Sequence, residues 1–361
     1  MAVLLDYKCP ACGGALEFSS DVQKMKCPYC DTELEMEALQ ALDEAIRQQQ
    51  PDDMTWQTQP DGQWSQEENA QLRSFVCNSC GGEIMTDENT AATHCPYCGN
   101  PVVVPQRFAA DLRPDLVLPF RLDKKAATQA LQEHLKGKRL LPKDFKSRNH
   151  IQKIQGVYVP FWLFDADVDA NLRYKATRIH TWSDANYNYT RTSYFSLLRG
   201  GKIAFDNVPV DGSSKMDNNL MESVEPYDLN DAVDFQTAYL AGFLADKFDV
   251  EAQECKTRAN QRIRSSTEDY FSRSCAGYTT VIPENTNISF SESRVRYALL
   301  PVWLLTTRYK DKNYTFAMNG QTGKMVGNLP IHWGTFWTYL LTIGVGSGML
   351  LSFLMWLITV I

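Results

Sequence analysis

The sequence predicts an α+β protein with two small rubredoxin-like four-cysteine zinc ribbons, an internally duplicated α+β domain and one C-terminal transmembrane helix. Three observations predict it. Eight of the ten cysteines form two matched groups, residues 107–332 mix strand-like and helix-like patterns, and the chain ends in an uncharged apolar run. The predicted domains are ribbon 1 (1–34), a helix and Gln-rich linker (35–74), ribbon 2 (75–106), the α+β domain (107–332) and the transmembrane helix (335–361).

The composition indicates a globular protein and argues against a protein whose main role is to bind nucleic acid. Of 361 residues, 44% are hydrophobic and 22% are charged, which is typical of folded domains. The net charge is −7, and residues 1–106, which contain both ribbons, hold 17 acids against 5 bases. Phosphate contact needs a basic surface, so nucleic acid is an unfavoured partner.

The two ribbons are predicted from four C-x-x-C pairs. Within each group 14 residues separate the inner cysteines, and CPACGGALEF aligns with CNSCGGEIMT. Two such turns supply the four thiolates of a closed tetrahedral site, which is structural because no position stays open for water or substrate. We therefore expect two structural Zn²⁺ ions, bound by Cys9, Cys12, Cys27 and Cys30 and by Cys77, Cys80, Cys95 and Cys98. A disulfide framework or a redox pair are the alternatives. Cys255 and Cys275 lie outside the pattern, and their roles are not assigned.

Helix and strand patterns follow the first ribbon. Apolar positions at helical spacing predict a helix over residues 35–50, and the Gln-rich stretch 48–71 reads as a polar linker. In the α+β domain the patterns predict strands and two helices. The strands cover 116–122, 157–164, 168–177, 190–198 and 295–306, and the helices cover 123–136 and 249–273.

A weaker repeat predicts that the α+β domain is duplicated. Pro119–Phe120, a helix and an aromatic strand around Trp162 correspond to Pro226–Tyr227, helices and an aromatic strand around Trp303. Each half would be a strand, a helix and a Pro-led strand that enters a hairpin.

A basic segment, residues 136–153, holds seven Lys or Arg and one acid. Lys138, Arg139, Lys143 and Lys146 are candidate contacts to anionic lipid headgroups, since each basic residue near such a surface contributes about 1 kcal/mol. A solvated loop and a contact with the acidic ribbons are the alternatives. No constellation of catalytic residues is evident, and the sequence predicts a non-enzyme.

The C-terminal run predicts a single membrane span. Tyr339–Ile361 is 23 residues without a charge, about 35 Å of helix, which exceeds a hydrocarbon core of about 30 Å. Thiolate zinc sites belong in a reducing compartment, so we expect a cytosolic N-terminus and a location in the bacterial inner membrane. Gly344–Gly348 has the G-x-x-x-G spacing of associating helices, which allows a homo-oligomer.

Taken together, the paired ribbons, the LLPKDF and VYVPFWLF stretches and the C-terminal run resemble a bacterial family, the YdjG-like zinc-ribbon membrane proteins. Members are often labelled primosomal helicase-like or TFIIB-type zinc ribbon. The resemblance implies partners of the PspA type and of the SPFH-domain type, in an envelope-stress assembly at the membrane.

Two functions remain open from the sequence. The first is a single-span membrane adaptor whose cytosolic ribbons and α+β body recruit partner proteins. The alternative is a membrane-tethered zinc-ribbon protein that binds nucleic acid.

Overall fold

The structure, a computed structural model, describes residues 9, 12–39, 52–87, 94–100, 103–106, 112–142, 145, 154–310 and 312–360. The chain divides into two compact units. Unit 1 comprises residues 1–59, 164–208 and 256–295, and unit 2 comprises residues 60–163, 209–255 and 296–361.

The described elements are fourteen strands and five α-helices, together with short 3-10 turns. The strands are β1 (Glu17–Ser19), β2 (Lys24–Lys26), β3 (Glu33–Leu34), β4 (Leu72–Cys77), β5 (Glu83–Asp87), β6 (Val103–Gln106), β7 (Leu116–Val117), β8 (Gln155–Ser183), β9 (Asn188–Asp211), β10 (Val233–Asp234), β11 (Leu244–Asp246), β12 (Thr280–Tyr309), β13 (Lys312–Asn319) and β14 (Met325–Gly327). The helices are α1 (Gln66–Gln71), α2 (Lys124–Leu135), α3 (Asn218–Val224), α4 (Ala252–Arg273) and α5 (Trp333–Val360). The mixed α+β class predicted from the sequence is confirmed.

Two sheets account for the strands. β1, β2 and β3 form a three-stranded sheet within unit 1. The other sheet has 11 strands, with the order β10-β7-β12-β8-β11-β5-β4-β6; β9 pairs with β8, and β13 and β14 extend from β12.

The sheet is arranged symmetrically about β12 and β8. In unit 2, β7 runs parallel to β12 with Leu116 opposite Ala298, and β11 runs parallel to β8 with Leu244 opposite Val157. In the chain, β7 precedes α2 and β8, but it pairs with β12. Likewise β11 precedes α4 and β12, but it pairs with β8. This arrangement differs from the predicted correspondence, because β11, and not Pro226–Tyr227, occupies the position equivalent to β7. A proline followed by an aromatic residue does not identify equivalent strands, because such pairs occur in hydrophobic cores generally.

Four of the five predicted strands are present as parts of longer ones, including 190–198 within β9. The fifth prediction, 116–122, is wrong in its length, because only Leu116 and Val117 form a strand there. The segments 157–164 and 168–177 belong to the single 29-residue strand β8, and 295–306 lies within the 30-residue strand β12. Helix α2 begins where predicted, because the Asp123 carboxylate accepts a hydrogen bond from the Ala126 N–H as its N-cap. Asp249 does not cap α4: its carboxylate accepts hydrogen bonds from Ser214. The predicted helix 35–50 is described only as far as Leu39, and residues 36–39 are helical.

The core of unit 2 is built on the inner faces of β8 and β12. Phe120 stacks on Phe243 at 4.2 Å, and Trp303 packs edge-on against Phe120 at 5.2 Å. Gly320 is required here, since a Cβ at this position would lie 2.7 Å from the Phe120 ring. Trp303 is buried, and Phe120 and Phe243 are partly buried, in a hydrophobic cluster that also contains residues of α2.

Trp56 and Trp64 show that the Gln-rich stretch is packed where the structure describes it. In unit 1 the Trp56 side chain is 6% exposed, lies edge-on to Phe164 and Phe290, and donates a hydrogen bond to Asn260. In unit 2 Trp64 lies 5.6 Å from Phe235. The predicted polar linker is thus anchored by its aromatic residues.

Helix α5 contains a 24-residue segment, Trp333–Trp356, that is long and apolar enough to span a membrane. None of it is buried within the protein. A soluble core helix would be covered by other elements, so the full exposure of this apolar segment is the structural feature that favours a bilayer.

Candidate metal centres

Ribbon 1 brings its four cysteines together in unit 1. The sulfur atoms of Cys9, Cys12, Cys27 and Cys30 all lie within 4.8 Å of one another. Sγ of Cys9 is 3.6 Å from Sγ of Cys30, and Sγ of Cys12 is 3.5 Å from Sγ of Cys27. A disulfide would place two sulfurs at about 2.05 Å, so these are four separate thiol groups.

Ribbon 2 repeats this geometry in unit 2. The sulfur atoms of Cys77, Cys80, Cys95 and Cys98 also lie within 4.8 Å of one another. The matching separations are 3.6 Å for Cys77 and Cys98 and 3.5 Å for Cys80 and Cys95. All eight predicted ligands are therefore found in the two predicted groups.

The sulfur geometry fits a tetrahedral metal ion. Four sulfurs at the usual zinc–sulfur distance of about 2.3 Å are about 3.8 Å apart along each edge of the tetrahedron. The observed separations of 3.5–3.6 Å are close to this value. Both groups could hold metal ions, and a pure thiolate donor set is the one that zinc takes in structural sites.

Tight turns present each pair of sulfurs. In the first turn of ribbon 2 the Gly81 N–H donates to the Cys77 carbonyl at 2.8 Å, and the Cys77 N–H donates to the Gly82 carbonyl at 3.0 Å. Gly81 has a φ of +70°, a conformation that glycine adopts without steric cost. The equivalent positions are Gly13, Asp31 and Gly99, all with positive φ.

The second glycine of each G-G pair has a different role. A Cβ at Gly14 would lie 2.5 Å from the Tyr29 ring, and a Cβ at Gly82 would lie 3.0 Å from the Tyr97 ring. These glycines let the tyrosine of each C-P-Y-C turn lie over the opposite turn. Tyr29 is 77% exposed, whereas Tyr97 is buried.

The two centres differ in what surrounds them. Cys77, Cys95 and Tyr97 belong to the main hydrophobic cluster of unit 2, and β5 pairs with β11 so that ribbon 2 is continuous with that sheet. Among the residues that the structure describes, ribbon 1 is built on its own three-stranded sheet, and Cys12 is exposed. A metal at ribbon 2 therefore supports the core of unit 2, while a metal at ribbon 1 supports mainly the ribbon.

Hydrogen bonds and burial shift the thiol pKa values in different directions. A hydrogen bond with the Thr32 hydroxyl lowers the pKa of Cys30 to about 6. Burial raises the pKa of Cys95 and that of Cys80. For Cys77 burial acts upward, but backbone N–H groups of Cys80 and Ser79 outweigh it and lower the pKa to about 7. A bound cation would favour the thiolate form of every ligand.

The remaining predicted residues lie outside these centres. Lys138 and Arg139 are exposed just after α2, and the Lys138 Nζ lies 3.2 Å from the His134 Nε2. Lys143 and Lys146 lie outside the described residues. Cys255 and Cys275 are buried, and each thiol donates to a backbone carbonyl, that of Asp211 and that of Phe271.

A buried polar cluster lies beside ribbon 2, and the sequence does not predict it. Asp246 on β11 accepts a hydrogen bond from the Ser213 hydroxyl at 2.6 Å, and Asp211 accepts one from the Ser213 N–H at 3.0 Å. Burial raises the pKa of Asp246 to about 7; burial also raises the pKa of Tyr97, and the nearby Asp246 carboxylate adds to that effect. The only sequence signal is an acid within an otherwise apolar strand, which is too common to identify a cluster.

The chain is similar to one curated protein along most of its length. It is 33% identical over 332 residues to the uncharacterized protein YdjG of Bacillus subtilis (strain 168), which covers 92% of each chain. No protein-family model matches the chain, and no solved structure matches it. The identity and coverage show that the chain belongs to the YdjG family, as the sequence motifs predict.

Removing one ligand from each centre should separate their structural roles. Cys12→Ser and Cys95→Ser should each reduce bound zinc from two ions to one, measured by elemental analysis of the purified full chain. Cys95→Ser should also lower the midpoint of thermal unfolding of the main transition, because Cys95 is part of the unit 2 core. Cys12→Ser should leave that midpoint within about 2 °C.

The matched control is Cys275→Ser, a buried cysteine outside both groups, which should keep two zinc ions. Equal effects of Cys12→Ser and Cys95→Ser on the unfolding midpoint would contradict the difference between the centres.

Asp246 should make stability depend on pH. Its folded-state pKa of about 7 exceeds the ordinary value of 3.8, so the folded state binds more protons than the unfolded state between these values. The stabilising effect is full below pH 4 and is lost as pH rises through 7. Relative to the wild type, Asp246→Asn should gain about 2–3 kcal/mol of unfolding free energy between pH 5 and pH 8. Denaturant unfolding of both proteins at pH 5 and pH 8 measures the difference in unfolding free energy. The same change between the two pH values in both proteins would contradict the role of Asp246.

Proposed function

We propose that this member of the YdjG family is a non-enzymatic, single-span membrane adaptor whose zinc ribbons recruit partner proteins. Two four-cysteine groups that could hold metal ions and, among the described residues, one helix long and apolar enough to span a membrane fit a membrane-associated zinc protein. The recruiting role rests on what the ribbons present to solvent.

The observation that carries the proposal is an apolar surface on ribbon 1. Phe18 is 56% exposed and Tyr29 is 77% exposed, and Val22 is also exposed, as is Met36 two residues after the ribbon. A ribbon of this size has few apolar residues, and folding usually covers them. Exposed aromatic side chains on a small rigid module are typical of protein-contact surfaces. We call Phe18, Val22, Tyr29 and Met36 the ribbon surface.

The charge of ribbon 1 favours protein over nucleic acid. Lys24 pairs with Glu35 at 2.7 Å and Lys26 pairs with Asp31 at 3.2 Å. The two lysines that the structure describes in this ribbon are therefore opposed by carboxylates. Ribbon 2, residues 75–106, has no Lys or Arg, so it offers no phosphate contact from a basic side chain.

The proposed chemistry is binding alone. Each metal centre has four thiolate donors, which leaves no open position for water or substrate. A bound zinc ion would hold the two turns of a ribbon together and keep the ribbon surface rigid. Rigidity lowers the entropy cost of recruiting a partner.

The proposed location is the bacterial inner membrane, with the ribbons in the cytosol. Thiolates are kept reduced there, as zinc ligation requires, and α5 would cross the bilayer once. The family resemblance names PspA-type and SPFH-domain proteins as the first partners to test, in an envelope-stress assembly. Association of α5 through Gly344 and Gly348 is a further part of the proposal.

The ribbon surface can be tested by crosslinking the full chain in native membranes, followed by mass spectrometry. A double variant, Phe18→Ser with Tyr29→Ser, should reduce recovery of the specific partner at least five-fold while both zinc ions remain bound. Tyr270→Ser is the matched control, because Tyr270 is 61% exposed in unit 1 but lies on α4. Unchanged partner recovery would refute the proposed role of ribbon 1. Tight binding of purified chain to DNA, weakening steeply with salt, would favour the nucleic-acid alternative.

The topology can be tested separately. A chain ending at Pro330 should leave the membrane fraction, whereas Gly344→Ala with Gly348→Ala should stay in it. In intact spheroplasts a cysteine introduced at the exposed position 270 (Tyr270→Cys) should resist a membrane-impermeant thiol reagent until the cells are opened. Labelling of this cysteine before opening would place the part of the chain before α5 outside and contradict the cytosolic location.

A further inference from the structure

We infer that the end of the β8–β9 hairpin in unit 1, residues 178–192, is a contact site for an anionic lipid surface. This site goes beyond the recruiting role proposed for the ribbons, and it uses none of their residues. It also differs from the basic segment that the sequence indicates for lipid contact.

The hairpin end extends beyond the elements that cover the rest of unit 1. All 15 residues from Arg178 to Thr192 are exposed, on both faces of the hairpin. Further back the inner face is buried: Tyr174 donates a hydrogen bond to the Glu268 carbonyl of α4, and Ala176 is also buried. The strands thus continue for several residues past the helix that packs against them.

Aromatic side chains occupy this exposed end. Trp182 stacks between His180 and Tyr189, with ring centroids 5.5 Å and 5.4 Å apart, and Tyr187 in the turn is 67% exposed. Ile179 is exposed as well. Tryptophan and tyrosine are the residues enriched at membrane interfaces, where the ring lies among lipids and its polar atom stays hydrated.

Basic residues lie along both strands of the hairpin, mostly farther from its turn than the aromatic rings. Residues 173–202 contain six bases, Arg173, Lys175, Arg178, Arg191, Arg199 and Lys202, against one acid. That acid, Asp184, accepts hydrogen bonds from the N–H groups of Asn186 and Tyr187 and closes the turn. Arg173 pairs with Glu284 of β12 at 3.1 Å, so the other five bases and Asp184 leave a local charge of +4. The whole chain carries −7, and this local positive charge favours contact with an anionic surface.

The spacing of rings and charges fits the depth of a headgroup layer. Arg191 lies two residues behind Tyr189, about 7 Å along an extended strand, and Arg178 lies four residues behind Trp182, about 13 Å. A headgroup layer is about 5–8 Å thick on each side of the hydrocarbon core. Rings at the glycerol level would therefore place Arg191 among the phosphates.

A lipid surface is favoured over nucleic acid by the rest of the hairpin end. Stacking against bases needs free ring faces, whereas the Trp182 ring already stacks against Tyr189 with an interplanar angle of 11°. The exposed aliphatic Ile179 contributes to lipid insertion but not to base stacking. The same chain carries the apolar helix α5, so the chain is held at a bilayer whenever that helix is inserted.

The test uses the full chain with a benzophenone amino acid in place of Tyr187. The protein is held in nanodiscs of phosphatidylcholine alone or of phosphatidylcholine with phosphatidylglycerol at 7:3. Vesicles of the same composition and a 20-nucleotide single-stranded DNA are present, so that contact with a second bilayer or with nucleic acid is also recorded. Mass spectrometry identifies the adducts after illumination.

We expect lipid adducts in the anionic discs or vesicles at least five-fold above those in neutral lipid. The yield of lipid adducts should also be at least five times that of a chain with the benzophenone in place of Tyr270, which is similarly exposed in the same unit. Arg191→Gln should at least halve the yield, and 500 mM salt should do the same, because salt screens exposed charges. Lys125→Gln, which removes one exposed positive charge from α2, should not change it.

Three results would overturn the inference. They are equal yields at positions 187 and 270, equal yields in neutral and anionic lipid, and adducts to the DNA in place of lipid. Two bound zinc ions and an unchanged circular dichroism spectrum in each variant establish that a lower yield does not come from unfolding.

Discussion

The convergence of four thiolates is the interaction on which both ribbons depend. A segment of about 28 residues cannot bury enough apolar surface to fold by itself. Two pairs of sulfurs in each group lie 3.5–3.6 Å apart, and four thiolates at this distance repel one another unless a cation lies between them. A metal ion bound in this position would supply folding free energy that the short strands β1, β2 and β3 do not.

The duplicated ribbons have acquired different surroundings. Ribbon 2 shares its cysteines and Tyr97 with the hydrophobic cluster of unit 2, and its strands continue a sheet through β11. Ribbon 1 leaves the tyrosine of its C-P-Y-C turn exposed. The same motif thus contributes to the core of unit 2 in ribbon 2 and forms a solvent-exposed module in ribbon 1. The tertiary neighbours of Tyr29 and Tyr97, rather than the motif itself, separate these roles.

Within the described residues, three apolar surfaces are exposed, and each has a distinct chemistry. The ribbon surface is aromatic beside paired charges, α5 is apolar on every side, and the hairpin end combines aromatic rings with arginine. Exposed apolar surface raises the risk of aggregation, so each of these surfaces is a candidate binding surface. The occupants that we propose are a bilayer for α5, a protein for ribbon 1 and anionic headgroups for the hairpin end.

Features with a local physical cause can be predicted from the sequence of this protein. The spacing of the cysteines gives both metal centres, Asp123 gives the start of α2, and the uncharged apolar run gives α5. Coordination, capping and hydropathy act between residues close in the chain, so a pattern records them. The tertiary structure alone decided that β11 corresponds to β7, that Asp246 is buried beside Tyr97, and that residues 178–192 extend beyond α4. These features depend on contacts between distant segments, and an alternating strand pattern is the same whether or not a helix covers it.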